Sequence, residues 1–268
     1  QAGTLSLNPD PPEKYTYTAT GYGESDNKRW WGMEDSLTIW RNYGFFADNG
    51  GYLQCVDLNT LELLYVSDVG DDQDATMVLE EAPADGTIYL YGGNKVSSRG
   101  ATDGVGETIH RKIDGLTGET LWSYSIPAAL DEGTMATPHV GKGDLQDLVI
   151  FACSDVSVTV DGQAQYGGLL VARNKDTGEV VWQVEQISGY WASPVVIYDQ
   201  NEKGYVLQCD RNGLLRMYDG ISGQQICEVD LGSRIESTPA VFNNMLVVGT
   251  RGQYGRGEGQ KIIGVMIK

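Results

Sequence analysis

One phrase recurs along this chain at fixed internal spacing. Asp114, Thr117, Gly118 and Trp122 spell Asx-x-x-Thr-Gly-x-x-x-Trp, and Asn174, Thr177, Gly178 and Trp182 spell it again. Asp219, Ser222 and Gly223 form a third copy with Cys227 in place of the Trp. Asp57 and Thr60 form a weaker fourth, with Leu61 for the Gly and Tyr65 for the Trp. The residue types explain the spacing. An Asp or Asn side chain accepts backbone N–H bonds two or three residues on and closes a tight turn, and Thr adds a second local bond. Gly supplies a positive φ without steric cost. The Trp then falls on the next strand, where its flat ring can cover a seam and its N–H can reach a neighbouring carbonyl. A periodic phrase of this kind signals stacked repeats.

A second phrase precedes each turn. "ATPHV" (136–140), "ASPVV" (192–196) and "STPAV" (237–241) share a small-hydroxyl-Pro-x-Val pattern, and "ATMVL" (75–79) is a relative without the Pro. Short β-type runs lie between the phrases: 87–93, 147–153, 204–209 and 244–250 form one set, and 50–57, 167–174 and 212–219 form another. Each unit therefore reads as four short strands joined by turns, which is the blade of a propeller. The expected fold is all-β, a β-propeller of four-stranded antiparallel blades. The 35 glycines and 15 tyrosines suit many short strands and tight turns.

This pattern resembles the tryptophan-docking repeat of the pyrroloquinoline-quinone (PQQ)-like β-propeller superfamily, over roughly residues 35–268. The resemblance implies a propeller; it does not select among the superfamily's quinoprotein dehydrogenases, outer-membrane assembly lipoproteins and surface proteins. About five blade units are visible, at 35–70, 71–130, 131–188, 189–234 and 235–268. Residues 1–34 form an irregular N-terminal segment, in which "KYTYTAT" (14–20) alternates well enough to be a strand that closes the last unit. Since propellers of this superfamily usually have seven or eight blades, the expectation is the C-terminal part of a longer chain. Gly-, Ser- and Asp-rich inserts at 92–107 and 155–168 read as loops.

Quinoprotein dehydrogenases of this fold stack their quinone against an adjacent Cys pair and hold calcium beside it. Here Cys55, Cys153, Cys209 and Cys227 stand apart among apolar neighbours and read as four buried thiols. No catalytic residue is assigned, and neither PQQ nor another cofactor is expected. Calcium is the one cation with a candidate loop, because Asp68, Asp71, Asp72 and Asp74 place four carboxylates just before an inner strand. A solvated acidic turn is the alternative. Of the two histidines, His110 reads as lying on an exposed strand, and His139 as lying on an innermost strand facing the channel. Trp30, Trp31, Tyr190 and Trp191 fall outside the turn phrase. Tyr190 and Trp191 come at the entrance of an inner strand, where aromatics suit a sugar, a peptide or a partner protein, or else pack blade against blade.

Net charge of −18 makes nucleic acid and anionic membranes poor partners. No apolar run reaches the ~18 residues of a membrane span. The reading is thus a non-catalytic propeller that binds a protein or glycan on one face, with His139, Tyr190 and Trp191 as candidate contacts. The resemblance implies an extracellular, cell-surface or periplasmic location. Two alternatives stand beside it: a PQQ- and calcium-dependent oxidoreductase whose active-site residues lie upstream, and a purely structural module of a larger assembly.

Overall fold

Four antiparallel sheets follow one another along the chain in the computed structural model, which describes residues 32–82, 85–97, 100–252 and 259–268. The first is the meander β1 (Thr38–Trp40), β2 (Tyr43–Ala47), β3 (Tyr52–Asp57) and β4 (Glu62–Asp68). The second holds two blades. One is β5 (Val78–Glu81), β6 (Ile88–Gly93), β7 (Val105–Asp114) and β8 (Thr120–Gly133); the other is β9 (His139–Val140), β10 (Leu148–Val160), β11 (Gln163–Asn174) and β12 (Val180–Gln186). They are joined where β8 pairs with β10 at Gly133↔Ser154 and Ala128↔Val156. The third sheet is β13 (Val195–Tyr198), β14 (Gly204–Cys209), β15 (Leu214–Asp219) and β16 (Gln225–Asp230). The fourth has three strands, β17 (Ala240–Phe242), β18 (Met245–Gly249) and β19 (Ile262–Met266). The fold is that of a β-propeller. The phrases "ATMVL", "ATPHV", "ASPVV" and "STPAV" each lead into the first strand of a blade, β5, β9, β13 and β17.

The core lies between blades rather than at one centre. Phe45, Leu53, Ile88 and Leu90 fill the first seam, Tyr91, Phe151 and Val171 the second, Ile150, Leu170, Tyr190 and Tyr218 the third, and Leu207, Ile235 and Leu246 the fourth. A blade buries little by itself, so each seam supplies the burial that its two neighbours lack.

The turn phrase fastens these seams. Asp114 Oδ1 accepts from the N–H groups of Leu116 and Thr117, both at 2.9 Å. Asn174 Oδ1 accepts from Asp176 and Thr177 at 2.9 and 3.0 Å, and Asp219 Oδ1 from Ile221 and Ser222 at 3.2 and 3.0 Å. Gly178 and Gly223 take φ of +73° and +69°. A Cβ on either would come within 2.7 Å of the indole of the preceding blade, Trp122 or Trp182. Each indole Nε1 donates at 2.9 Å to a carbonyl of that same turn region, Trp122 to Lys175 and Trp182 to Gly220. In the degenerate copy Leu61 adopts φ of +58°, so the backbone form survives without Gly at a steric cost of about 1 kcal/mol.

Several expectations are corrected. Residues 155–168 form the far ends of β10 and β11, a hairpin turning at Asp161–Gly162, and 105–107 belong to β7. His110 is fully buried, because the second half of β7, from Thr108 on, is packed between blades. Cys55, Cys153 and Cys209 are buried, but Cys227 is exposed. The candidate closing strand at 14–20 and the pair Trp30–Trp31 lie outside the described residues.

Candidate functional site

In each repeat, the end of the second strand lies at the same end of the blade as the approach to its first strand. Lys95 follows β6, Asp155 sits in the bulge of β10, Arg211 follows β14 and Arg251 follows β18. Glu132 ends β8, Trp191 approaches β13, and Arg234 and Glu236 approach β17. Lys95, Glu132, Trp191, Arg211, Arg234 and Glu236 line one cavity of about 710 Å³, together with Glu34 and Asp74.

Trp191 is held on several sides in this cleft. Its Nε1 donates to Glu132 Oε2 at 3.2 Å. The guanidinium of Arg211 lies 4.6 Å from the ring centroid, and that of Arg234 lies 5.6 Å away. Arg211 Nη1 reaches Glu132 Oε1 at 2.9 Å, Asp155 Oδ2 at 3.1 Å and Ser154 Oγ at 3.2 Å. Asp155 is thereby fixed in a left-handed conformation, φ +43°, and burial followed by the charge of Glu132 raises its carboxyl above the usual range. Beyond the ring, Glu236 accepts from Arg234 at 2.6 Å and also from Arg251. A rigid indole ringed by charge-paired guanidiniums is a pre-organised contact surface with little side-chain entropy left to lose.

The opposite wall is acidic. Asp72 accepts from Asn49 Nδ2 at 2.6 Å, and Lys95 Nζ lies 3.2 Å from Asp72 and 3.4 Å from Asp74. Carboxylate oxygens of Glu34, Asp72 and Asp74 all lie within 4.8 Å of one another. The other two members of the acidic run do not join them. Asp68 is exposed and caps the Gly70 N–H at 2.9 Å; Asp71 is buried and accepts from Ser97 and Gly100 at 2.7 and 2.9 Å. Of the six oxygens on these three carboxylates, Lys95 already engages one of Asp72 and one of Asp74, so a calcium ion, which takes about six to eight, would need further ligands.

Burial pushes the Asp74 carboxyl up to about 7, with help from the charge of Asp72, and it raises that of Asp35, next to Glu34 in the chain, to about 7 as well. Asp35 Oδ2 accepts from Ala47 N at 2.9 Å, while Oδ1 is buried with no partner among the described residues. A carboxyl raised from 3.8 to about 7 keeps a proton in the fold that it releases on unfolding. Its contribution is present at low pH and is lost as pH rises from about 4 to about 7. Asp35→Asn keeps the acceptor and removes the charge. It is expected to raise stability near pH 8 by up to about 4 kcal/mol and to flatten the melting temperature between pH 4 and 7. Thermal melts across that range check it; a profile parallel to wild type contradicts it.

The other candidates lie elsewhere. Tyr190 is fully buried with Tyr218 in the third seam, where it packs blade against blade rather than lining the cleft. His139 lines a separate cavity of about 810 Å³ with Glu80, Lys142 and Lys175. Burial, then Lys142 and Lys175, lowers its pKa to about 4, which leaves it neutral at physiological pH. His110 accepts from Arg173 Nε at 3.1 Å on Nδ1, so its Nε2 carries the proton and faces Thr134 Oγ1 and Cys153 Sγ, each at 3.2 Å. Burial holds its pKa well below 6.5, and the set is a satisfied core network. Sequence reasoning missed Glu34, Lys95, Glu132, Arg211, Arg234 and Glu236.

Residues 166–263 match the family model described as outer membrane protein assembly factor BamB. None of the curated proteins matches the chain. Among solved structures, it is similar to a europium-containing methanol dehydrogenase, with 13% identity and a TM-score of 0.59 over 80% of this chain and 51% of that one. It is also similar to a quinohemoprotein alcohol dehydrogenase from Pseudomonas putida HK5, with 14% identity and a TM-score of 0.52 over 72% and 34%. BamB from Moraxella catarrhalis aligns at 18% identity and a TM-score of 0.42 over 80% of this chain and 66% of that one. The chain thus spans about half the length of the first of these and a third of the second. Among the described residues no helix is long and apolar enough to cross a membrane. The recurrent Asx-turn phrase, the four-stranded blades and these similarities agree on a β-propeller fold, and within it residues 166–263 carry the repeat of the matched family model.

Proposed function

We propose that this chain is a non-catalytic propeller, exported from the cytoplasm, that binds a protein or a glycan in the cleft around Trp191. The observation that carries this reading is the clamped indole itself. Trp and Arg dominate the energetics of binding surfaces, above all when they sit centrally in a pocket. Here a Trp and three Arg converge on one cleft of about 710 Å³ from four separate inter-strand connections. A protein partner is in keeping with the assembly-factor description of the matched family model.

Trp191→Ala is expected to weaken binding by about 30-fold or more, since central aromatic anchors contribute about 2 kcal/mol or more. The variant should keep its circular dichroism and melting temperature, because Trp191 lies at the cleft and not in a seam. Affinity capture and a glycan array, run in parallel with wild type and Trp191→Ala, identify the ligand and measure the loss. Equal binding by the two proteins moves the site elsewhere. Turnover of an alcohol or sugar that depends on added PQQ and calcium would replace the binding reading with the oxidoreductase one.

A further inference from the structure

The two blades of the second sheet hold a cavity of about 810 Å³ between β5 and β9, at the end of their seam that carries the Asx turns. It shares no lining residue with the Trp191 cleft. It exists because β9 is short. That strand has two residues where β5 and β13 have four, since the chain turns away at Gly141 into a single tight turn at Gly143–Leu145. A Cβ on Gly141 would lie 2.1 Å from the Leu145 carbonyl oxygen, so the exit requires glycine. The repeats show which side chains are out of pattern here. His139 holds the fourth position of "ATPHV", where the other copies have Val78, Val195 and Ala240. Lys175 follows the Asx residue of its turn, where the other copies have Leu58, Gly115 and Gly220. The other blades form without a polar side chain at either position, and both departures line this one cavity.

Lys175 is 6% exposed and pinned by its backbone. Its N–H donates to the Asp147 carbonyl at 2.8 Å, and its own carbonyl accepts from Trp122 Nε1 at 2.9 Å. An ammonium carries three N–H donors. One meets Glu80 Oε1 and one the Gly141 carbonyl at 3.0 Å, while the third has no partner among the described residues. His139 Nε2 is likewise buried without a partner among them. Buried polar groups are normally satisfied, so two open positions on one cavity point to a ligand that fills both. The carboxylates nearby do not. Glu80 is committed to Lys175 and, at 2.9 Å, to the Tyr91 hydroxyl. Glu81 accepts from Trp40 Nε1 at 2.9 Å and from Arg41 at 3.4 Å. At the mouth Lys142 and Asp147 are both exposed and cancel in net charge. The remaining lining, with Val78 and Leu79 from β5 and Val140 from β9, is apolar.

We propose that this cavity binds a small organic carboxylate, whose oxygens accept from Lys175 Nζ and His139 Nε2 and whose apolar body lies against Val78, Leu79 and Val140. A neutral imidazole carries one N–H, which the ligand draws onto Nε2, and a carboxylate accepts from two donors at once. The bond from Lys175 is charge-assisted and shielded from water, which strengthens it. The site is separate from the Trp191 cleft and stands whether or not the cleft binds a macromolecule.

Nuclear magnetic resonance on the whole 268-residue chain tests this, with benzoate and hexanoate titrated beside their primary amides. The chain has two histidines, so the ring signals of His139 can be read against those of buried His110. Both acids should shift the His139 ring saturably, with millimolar or tighter affinity, and leave the His110 ring unmoved. The amides should bind about ten-fold or more weakly, the effect of losing the charge from a hydrogen-bonded pair. Burial, then Lys142 and Lys175, holds the His139 pKa at about 4; an anion beside the ring favours imidazolium, so that pKa should rise in the bound state. His139→Val restores the residue of two other repeats and should keep the melting temperature while losing about ten-fold or more in affinity for the acids. Lys175→Met should lose at least as much, and Trp191→Ala should bind them like wild type. A His139 ring unmoved by either acid well beyond millimolar concentration overturns the proposal. So does equal binding of acids and amides, or binding that His139→Val and Lys175→Met leave intact.

Discussion

Trp182→Ala lowers the unfolding free energy by about 3–5 kcal/mol, the cost of truncating a buried indole to alanine. Three contributions set the sign. The ring is 7% exposed and fills the seam between β12 and the turn after β15. Its Nε1–H satisfies the Gly220 carbonyl at 2.9 Å, which loses that donor in the variant. Its flat face rests on Gly223, where a Cβ would lie only 2.7 Å from the ring, so nothing nearby can move in to refill the space. Urea unfolding followed by far-ultraviolet circular dichroism measures the loss. A change under about 1 kcal/mol would mean that the seam is held by the aliphatic core alone, since ordinary surface substitutions stay within that range.

Arg216→Leu should be nearly as costly, by a different route. Asp210 is 1% exposed, and its Oδ2 is matched by Arg216 Nη1 at 2.8 Å. Arg216 Nε also binds Glu228 at 2.6 Å. Removing the guanidinium leaves a buried carboxylate without its counter-charge, which costs about 3–5 kcal/mol. The double variant Asp210→Asn/Arg216→Leu should recover most of this loss, because an Asn oxygen can still accept from Asn212 and Leu214 as Asp210 Oδ1 does at 2.9 and 3.0 Å. The same Asp210 turn presents Arg211 to the cleft, so this pair supports the site as well as the blade. If the double variant is no more stable than Arg216→Leu, the guanidinium acts through packing rather than through charge.

The seams were legible in the sequence because each is written in local chemistry. Asp114, Asn174 and Asp219 bond backbone groups two and three residues away, Gly178 and Gly223 take positive φ, and the Trp follows at a fixed interval. Burial was less legible, since alternation reports burial only when a strand has one wet face. The second half of β7 has none, so His110 and its neighbours read as exposed. Its Arg111 and Lys112 are in fact 6% exposed, with the Lys112 ammonium 3.8 Å from the Tyr89 ring. Tyr190 and Trp191 are adjacent in sequence, yet the backbone turns one ring into the seam and the other into the cleft. The cleft charges come from turns far apart in the chain. One signal does mark them: Lys95, Asp155, Arg211 and Arg251 occupy the same position, two residues past Gly93, Cys153, Cys209 and Gly249. Alignment on the second strand instead of the Asx turn brings these four charges into register. Glu34 has no such mark.

Photo-crosslinking tests the binding reading most directly, because it captures a bound molecule whatever its identity. Met135 lines the cleft beyond the end of β8; Leu116, 48% exposed, lies in the Asx turn before the start of β8, at the opposite end of the blade. A benzophenone amino acid is placed at each position in turn in cells that produce the chain, and the products are compared after irradiation. The account predicts a discrete heavier adduct from Met135 that is lost when Trp191→Ala is added, and none from Leu116. An adduct from Leu116 alone, or a Met135 adduct indifferent to Trp191, would contradict it.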